Sequence, residues 1–150
     1  MLKLAHFKNL NIFLMYAGSL PFILLSAAVV SDLSVLPYLG STINLLAIYG
    51  LVIGSFLAGV HWGQYLASNT KGSIKLLLTS NIVAISLWIV YATLPIKHYL
   101  VVLIFVFITL LLIDLKLYNE QKLEHLYCLS RVIVTTIVVL SLGVSLYVHV

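Results

Sequence analysis

Residues Gly50–Tyr65 read GLVIGSFLAGVHWGQY, and this stretch decides the fold. It is a continuous apolar run that contains four glycines and one histidine, His61. Small residues let helices approach closely inside a lipid bilayer, so the glycines are typical of the centre of a membrane helix bundle. An ionisable side chain at such a depth is costly, and His61 therefore needs either a partner or a function.

The whole chain has the composition of a membrane protein. Of its 150 residues, 63% are apolar and 8% are charged, whereas soluble domains have roughly 45–50% and 25%. A spanning helix needs about 20 mostly apolar residues. We therefore predict an all-α fold, a single integral membrane domain over residues 1–150 that forms a five-transmembrane-helix bundle. The predicted spans are Asn11–Val30, Thr42–Ala67, Ile74–Leu94, His98–Tyr118 and Tyr127–Val148.

The basic residues predict the orientation of the bundle. Seven of the eight Lys and Arg residues fall on one side of the predicted membrane, and only Lys97 falls on the other. Because cytoplasmic loops carry an excess of Lys and Arg, we predict a cytoplasmic N-terminus and a periplasmic C-terminus in a bacterial inner membrane. The net charge of +4 does not indicate nucleic-acid binding, since the basic residues form no patch and no stripe with aromatic residues.

The second span has two faces of small residues on a helical wheel of 3.6 residues per turn. One face carries Gly50 and Gly54, and the other carries Gly59 and Gly63 with Ser55. All four glycines are interpreted as helix-packing residues. Because two such faces indicate neighbours on both sides, the pattern predicts a central position for this helix.

A layer of polar residues is predicted in the cytoplasmic half of the bundle. Buried polar groups in lipid must hydrogen-bond one another or meet water. One interpretation is an ion pair between Asp114 and Arg131 that joins the fourth and fifth spans. The alternative places Asp114 at headgroup level and lets Arg131 extend to the lipid phosphates. The candidate cluster consists of His61, Gln64, Asn81, Asp114, Arg131 and Thr135.

His61 allows three interpretations. The favoured one is a structural histidine that hydrogen-bonds Asn81 or a backbone carbonyl. The second is proton handling, because the ordinary pKa of histidine lies near physiological pH. The third is haem ligation, which needs a second histidine, and only His125 is placed to reach it. No metal site is predicted, because the chain lacks a suitable set of cysteine and carboxylate ligands.

Several elements resemble a known family. The run Ser55–Gly63, with its core F-x-x-G-x-H-W-G, resembles the signature of a domain-of-unknown-function family of small membrane proteins that includes transmembrane protein 69. The resemblance implies the fold, a membrane location and a shared constellation of His61, Asp114 and Arg131, but no substrate. The chain departs from the family at Asn81, where a proline is expected. Weaker similarities are Gly18-x-x-Pro21-Phe22, Asp114, and Tyr127-x-x-x-Arg131 followed by Thr135.

The functional prediction follows from size and from missing motifs. The sequence contains no nucleophile elbow, P-loop, zinc-protease or dinucleotide motif, so an enzyme is not favoured and no cofactor is evident. We predict a non-enzymatic accessory, assembly or structural component of a larger membrane complex, whose partners are the lipid bilayer and subunits of that complex. The alternatives are a small transport or proton-handling protein that uses the polar cluster, and a haem- or quinone-binding redox-linked protein.

Overall fold

The computed structural model describes residues 2–67 and 74–149, with side chains from residue 10 onward. The described chain contains five long α-helices, each with a run long and apolar enough to cross a membrane. The prediction of an all-α bundle of five membrane helices is confirmed at this level. The helices are α1 Leu2–Val30, α2 Thr42–Ala67, α3 Ile74–Thr93, α4 Ile96–Asn119 and α5 His125–His149.

The helix bounds follow the predicted spans with small differences. α2 begins and ends at the same residues as the second predicted span, while α1 already begins at Leu2 and α5 at His125. Polar residues end the apolar run but do not end a helix, so the helices extend past the apolar segments. A small antiparallel hairpin of β1 (Val35–Leu36) and β2 (Gly40–Ser41) connects α1 to α2.

The helices pack around α2, which contacts α1, α3 and α4, while α5 fills the space between α1 and α4. Fully buried apolar side chains form the core of the bundle, and Phe22 of α1 is one of them. Its ring meets the rings of Tyr49 and Phe107 edge-on, with centroids 5.0 and 5.7 Å apart. α1 and α5 are also joined by a hydrogen bond, since the Ser26 hydroxyl donates to the Ser141 carbonyl at 2.9 Å.

The four glycines of α2 fall into two structural classes. A Cβ atom at Gly50 would lie 2.6 Å from Leu103 Cδ1, and one at Gly54 would lie 2.8 Å from Leu87 Cδ1. α4 and α3 therefore both pack directly on this face of the α2 backbone. Gly59 and Gly63 are exposed, and a Cβ there would meet nothing within 4 Å.

The expectation that both small-residue faces pack within the chain therefore does not match the structure. α2 is central because α3 and α4 both pack on its first small-residue face and α1 also contacts α2. The second face consists of Ser55, Gly59 and Gly63 and is called the open small-residue face below. At Gly59 and Gly63 it contacts no other helix in the part of the chain that the structure describes.

Replacing Gly50 with leucine is expected to destabilise the bundle by about 1–3 kcal/mol, because an overpacked site forces neighbouring side chains and backbone to move. The Leu103 side chain that would have to move is fully buried. Thermal unfolding in detergent measures the effect. Gly143→Leu in α5 is the control, since a Cβ there meets nothing within 4 Å; equal losses in the two variants would contradict the close packing at Gly50.

Candidate functional site

Three ionisable side chains from three helices meet inside the bundle. Asp114 of α4 accepts a hydrogen bond from Arg131 Nε at Oδ2 (2.7 Å), and its Oδ1 lies 3.0 Å from His61 Nε2. The exposed fractions of His61, Asp114 and Arg131 are only 2%, 1% and 4%. These three residues are called the charged cluster below.

The local sequence explains why these side chains point inward. His61 follows Gly54 and Ala58 at helical spacing on the buried face of α2. Asp114 lies on the α4 face that buries Leu103, Phe107 and Leu110. Residues spaced by three or four along a helix share a face, so each charged group lies on the same side as the core residues of its own helix.

The interactions within the charged cluster offset most of the free energy that it costs to bury these charges. The Arg131 charge and the Asp114 charge neutralise each other in direct contact, and both carboxylate oxygens have partners. A buried ion pair adds little net stability, but removing one of its members is strongly destabilising, because the other charge is left buried without a partner. The cluster therefore fixes α2, α4 and α5 relative to one another.

The structure decides between the predicted interpretations of Asp114 and Arg131. Both side chains are buried and paired, so the headgroup interpretation of Asp114 is excluded. The predicted partner of His61, either the Asn81 side chain or a backbone carbonyl, was wrong, since His61 Nε2 contacts Asp114 and its Nδ1 has no partner among the described residues. The Asn81 amide instead donates to the Leu77 carbonyl of its own helix at 2.9 Å, which satisfies it within α3.

Two further members of the predicted cluster each have a buried side-chain oxygen without a hydrogen-bond partner in the described chain. Thr135 is buried one turn after Arg131, and its Oγ1 makes no hydrogen bond. Gln64 is half-buried, and its Oε1 is also unsatisfied among the described residues. The same is true of Arg131 Nη2 and His61 Nδ1. The charged cluster thus has spare hydrogen-bonding capacity.

A cavity of about 390 Å³ lies next to the charged cluster. α1, α2 and α5 form its walls, and Phe107 of α4 also borders it. It is called the interhelical cavity below. Its lining is mostly apolar, but Arg131 and Thr135 both contribute to it. Sequence reasoning did not find this cavity, because it depends on how side chains of four helices fit together.

The positions of the histidines and of the possible metal ligands concern the haem interpretation and the question of a metal site. His125, the second histidine that a bis-histidine haem would need, packs edge-on against Tyr118 with ring centroids 5.9 Å apart. His61 Nε2 is occupied by Asp114. Within residues 2–67 and 74–149, no group of three His, Cys, Asp or Glu side chains is placed to hold a metal ion.

The α4–α5 turn brings Asp114 and Arg131 to the same level. Gln121 adopts the left-handed conformation there with φ 57°, so the chain reverses within a few residues. Lys122 Nζ contacts Glu120 Oε2 at 2.7 Å and holds the pKa of that exposed carboxyl below its ordinary value. The turn makes α4 and α5 antiparallel neighbours, as a short connection requires.

The family follows from a comparison with known families. The model of a family described as "Protein of unknown function (DUF3429)" matches residues 8–147, which include the charged cluster. The chain belongs to the DUF3429 family. The predicted resemblance to a domain-of-unknown-function family is thereby confirmed, while the relation of DUF3429 to transmembrane protein 69 stays a prediction. No curated protein and no solved structure matches the chain.

Proposed function

We propose that this multi-pass membrane protein is a non-enzymatic accessory or assembly component of a larger complex in a bacterial inner membrane. The observation that carries the proposal is the open small-residue face of α2. The proposed orientation, with the N-terminus cytoplasmic and the C-terminus periplasmic, rests on the seven-to-one distribution of Lys and Arg.

The open small-residue face has the chemistry of a helix-docking surface. Glycine in a helix interior is less favourable than alanine by about 1 kcal/mol. At Gly50 and Gly54 the close approach of Leu103 and Leu87 offsets that cost. Gly59 and Gly63 have no such contact in the described chain. Helices associate in lipid through small residues spaced by four, which is the spacing of Ser55, Gly59 and Gly63.

The neighbouring side chains give this face the shape of a groove. On a helical wheel Phe56 and Trp62 fall on either side of the two glycines as exposed ridges, and the exposed Leu66 lies at the end of the same face. A spanning helix of another protein can place its side chains between these ridges and pack against the glycine backbone. We infer that the occupant is such a helix.

The interior of the bundle favours this proposal over transport. The charged cluster lies near one end of the bundle, and toward the other end the core is filled by Phe22, Leu103 and Phe107, which are apolar and buried. A proton or solute path needs polar groups or water along its length. The charged cluster instead joins α2, α4 and α5 through direct side-chain contacts.

Replacing Gly59 and Gly63 together with leucine is expected to abolish association with the partner while leaving the thermal unfolding of the isolated protein unchanged. The measurement is photo-crosslinking in native membranes from a reactive residue at Leu66, with identification of the crosslinked protein. A reactive residue at Phe105, which is exposed on α4, is the off-face control.

Gly143→Leu supplies the matched substitution control, because it adds the same side chain at another open position. It should leave the crosslink intact. A crosslink that survives Gly59→Leu with Gly63→Leu would refute the docking face. A crosslink only between copies of this chain, or isolation of the protein alone in mild detergent, would refute the accessory role.

A further inference from the structure

The interhelical cavity combines two chemical environments that together describe a ligand. Most of its wall is apolar, and four aromatic rings contribute to it: Phe22, Phe56, Phe107 and Tyr127. Its volume of about 390 Å³ lies within the range of roughly 300–1,000 Å³ that small-molecule sites occupy. Aromatic side chains contact flat rings in stacked or edge-on arrangements.

Polar residues also border this apolar wall, and two of them, Arg131 and Thr135, carry buried polar atoms without a partner in the described chain. Arg131 uses Nε for Asp114, but its Nη2 has no partner among the described residues. The Thr135 hydroxyl, one turn further along α5, is also without one. Both side chains are more than nine-tenths buried. Buried polar groups of this kind normally have partners, so their position at a cavity points to a ligand that accepts hydrogen bonds.

The charge of the site favours a neutral acceptor. Asp114 already neutralises Arg131 in direct contact at 2.7 Å. An anionic head would place a second negative charge beside the Asp114 carboxylate, whereas a carbonyl oxygen accepts the same hydrogen bonds without adding charge. Arg131 also lies roughly two turns inside the start of α5 and is buried among the helices, where a charged head would be removed from water.

The edge of the cavity provides a route for an apolar tail. Leu14 of α1 and Phe56 of α2 both line the cavity, and both are exposed on the outer surface of the bundle. In a bilayer that surface faces lipid. A tail attached to a ring in the cavity can therefore leave between α1 and α2 and lie among the acyl chains.

We propose that the interhelical cavity binds a neutral, flat, carbonyl-bearing ring with an apolar tail, which is the chemistry of a lipid-soluble quinone. The Arg131 guanidinium and the Thr135 hydroxyl donate hydrogen bonds to its carbonyl oxygen, and the aromatic side chains contact the ring. The proposal concerns binding only. It does not rest on the accessory role, because the cavity lies between helices of this chain; Phe56 alone borders both the cavity and the open small-residue face.

The test is a calorimetric titration of the purified full-length protein in detergent with a decyl-tailed benzoquinone. Thr135→Val is expected to weaken binding about ten-fold, the effect of losing one net hydrogen bond. Thr136→Val is the matched control, since the Thr136 hydroxyl is exposed and donates to the Val132 carbonyl of its own helix. Val138→Phe, which fills the cavity from α5, is expected to abolish binding.

Dodecanoate, with a comparable tail and an anionic head, is the competing probe. Tighter binding of dodecanoate than of the benzoquinone would overturn the neutral-head assignment. No binding of the benzoquinone, or equal affinities of Thr135→Val and Thr136→Val, would overturn the site itself. Because Thr135→Val changes neither the charged cluster nor the side-chain volume appreciably, its result stands even where Val138→Phe fails to fold.

Discussion

Replacing Asp114 with alanine is expected to destabilise the bundle by about 3–5 kcal/mol, the usual cost of breaking a buried ion pair from one side. The change leaves the Arg131 guanidinium buried with no negative partner and takes away the hydrogen-bond acceptor of His61. Folded yield by detergent size-exclusion chromatography and the midpoint of thermal unfolding measure the loss.

The other members of the charged cluster provide the internal controls for this result. Arg131→Ala should be less harmful, because Asp114 keeps its contact with His61. Asp114→Ala combined with Arg131→Ala should recover part of the stability, since no charge is then stranded. Glu120→Ala, at the exposed end of α4, should be nearly neutral. Additive losses in the double variant would contradict coupling between Asp114 and Arg131.

Replacing Phe22 with alanine is expected to cost about 3 kcal/mol. Phe→Ala changes in cores cost about 3–5 kcal/mol, and the lower end applies because a lipid-exposed phenylalanine in the unfolded membrane state is already in an apolar environment. Phe22 is 0% exposed and contacts two aromatic rings, so its removal leaves a hole in the middle of the bundle.

Phe13→Ala is the matched control for Phe22→Ala, with the same substitution in the same helix. Phe13 is 66% exposed and in a bilayer would face lipid, so acyl chains can fill the space that it leaves. The midpoint of thermal unfolding should drop for Phe22→Ala and hardly move for Phe13→Ala. A similar drop in both variants would contradict the prediction that the buried Phe22 side chain anchors α1 in the bundle.

The sequence was sufficient to predict five membrane helices because the lipid bilayer imposes a simple length and polarity rule. It also placed His61, Asp114 and Arg131 in one layer, because the depth of a residue follows from its distance along a span. It offered the Asp114–Arg131 pair as one of two interpretations, but depth alone did not decide between them, since depth does not determine which helices are neighbours. The sequence therefore predicted Asn81 of the next span or a backbone carbonyl as the partner of His61, and not Asp114.

The two small-residue faces of α2 show the same difficulty in another form. In a helix of a soluble protein the polar side identifies the face toward solvent. In a membrane helix both sides are apolar, so a helical wheel does not show which side faces lipid and which faces protein. Gly50 and Gly59 therefore look equivalent in the sequence. Only the position of Leu103 distinguishes them, and that depends on how α4 packs.

The hydrogen bond from Ser26 to the Ser141 carbonyl has a consequence for biogenesis. A ribosome delivers α1 before α5, so the buried face of α1 stays incomplete until every intervening span has been inserted. The Asp114 carboxylate likewise enters the membrane before its Arg131 partner has been synthesised. Insertion of α5 is therefore the step that completes both the buried face of α1 and the partner set of Asp114.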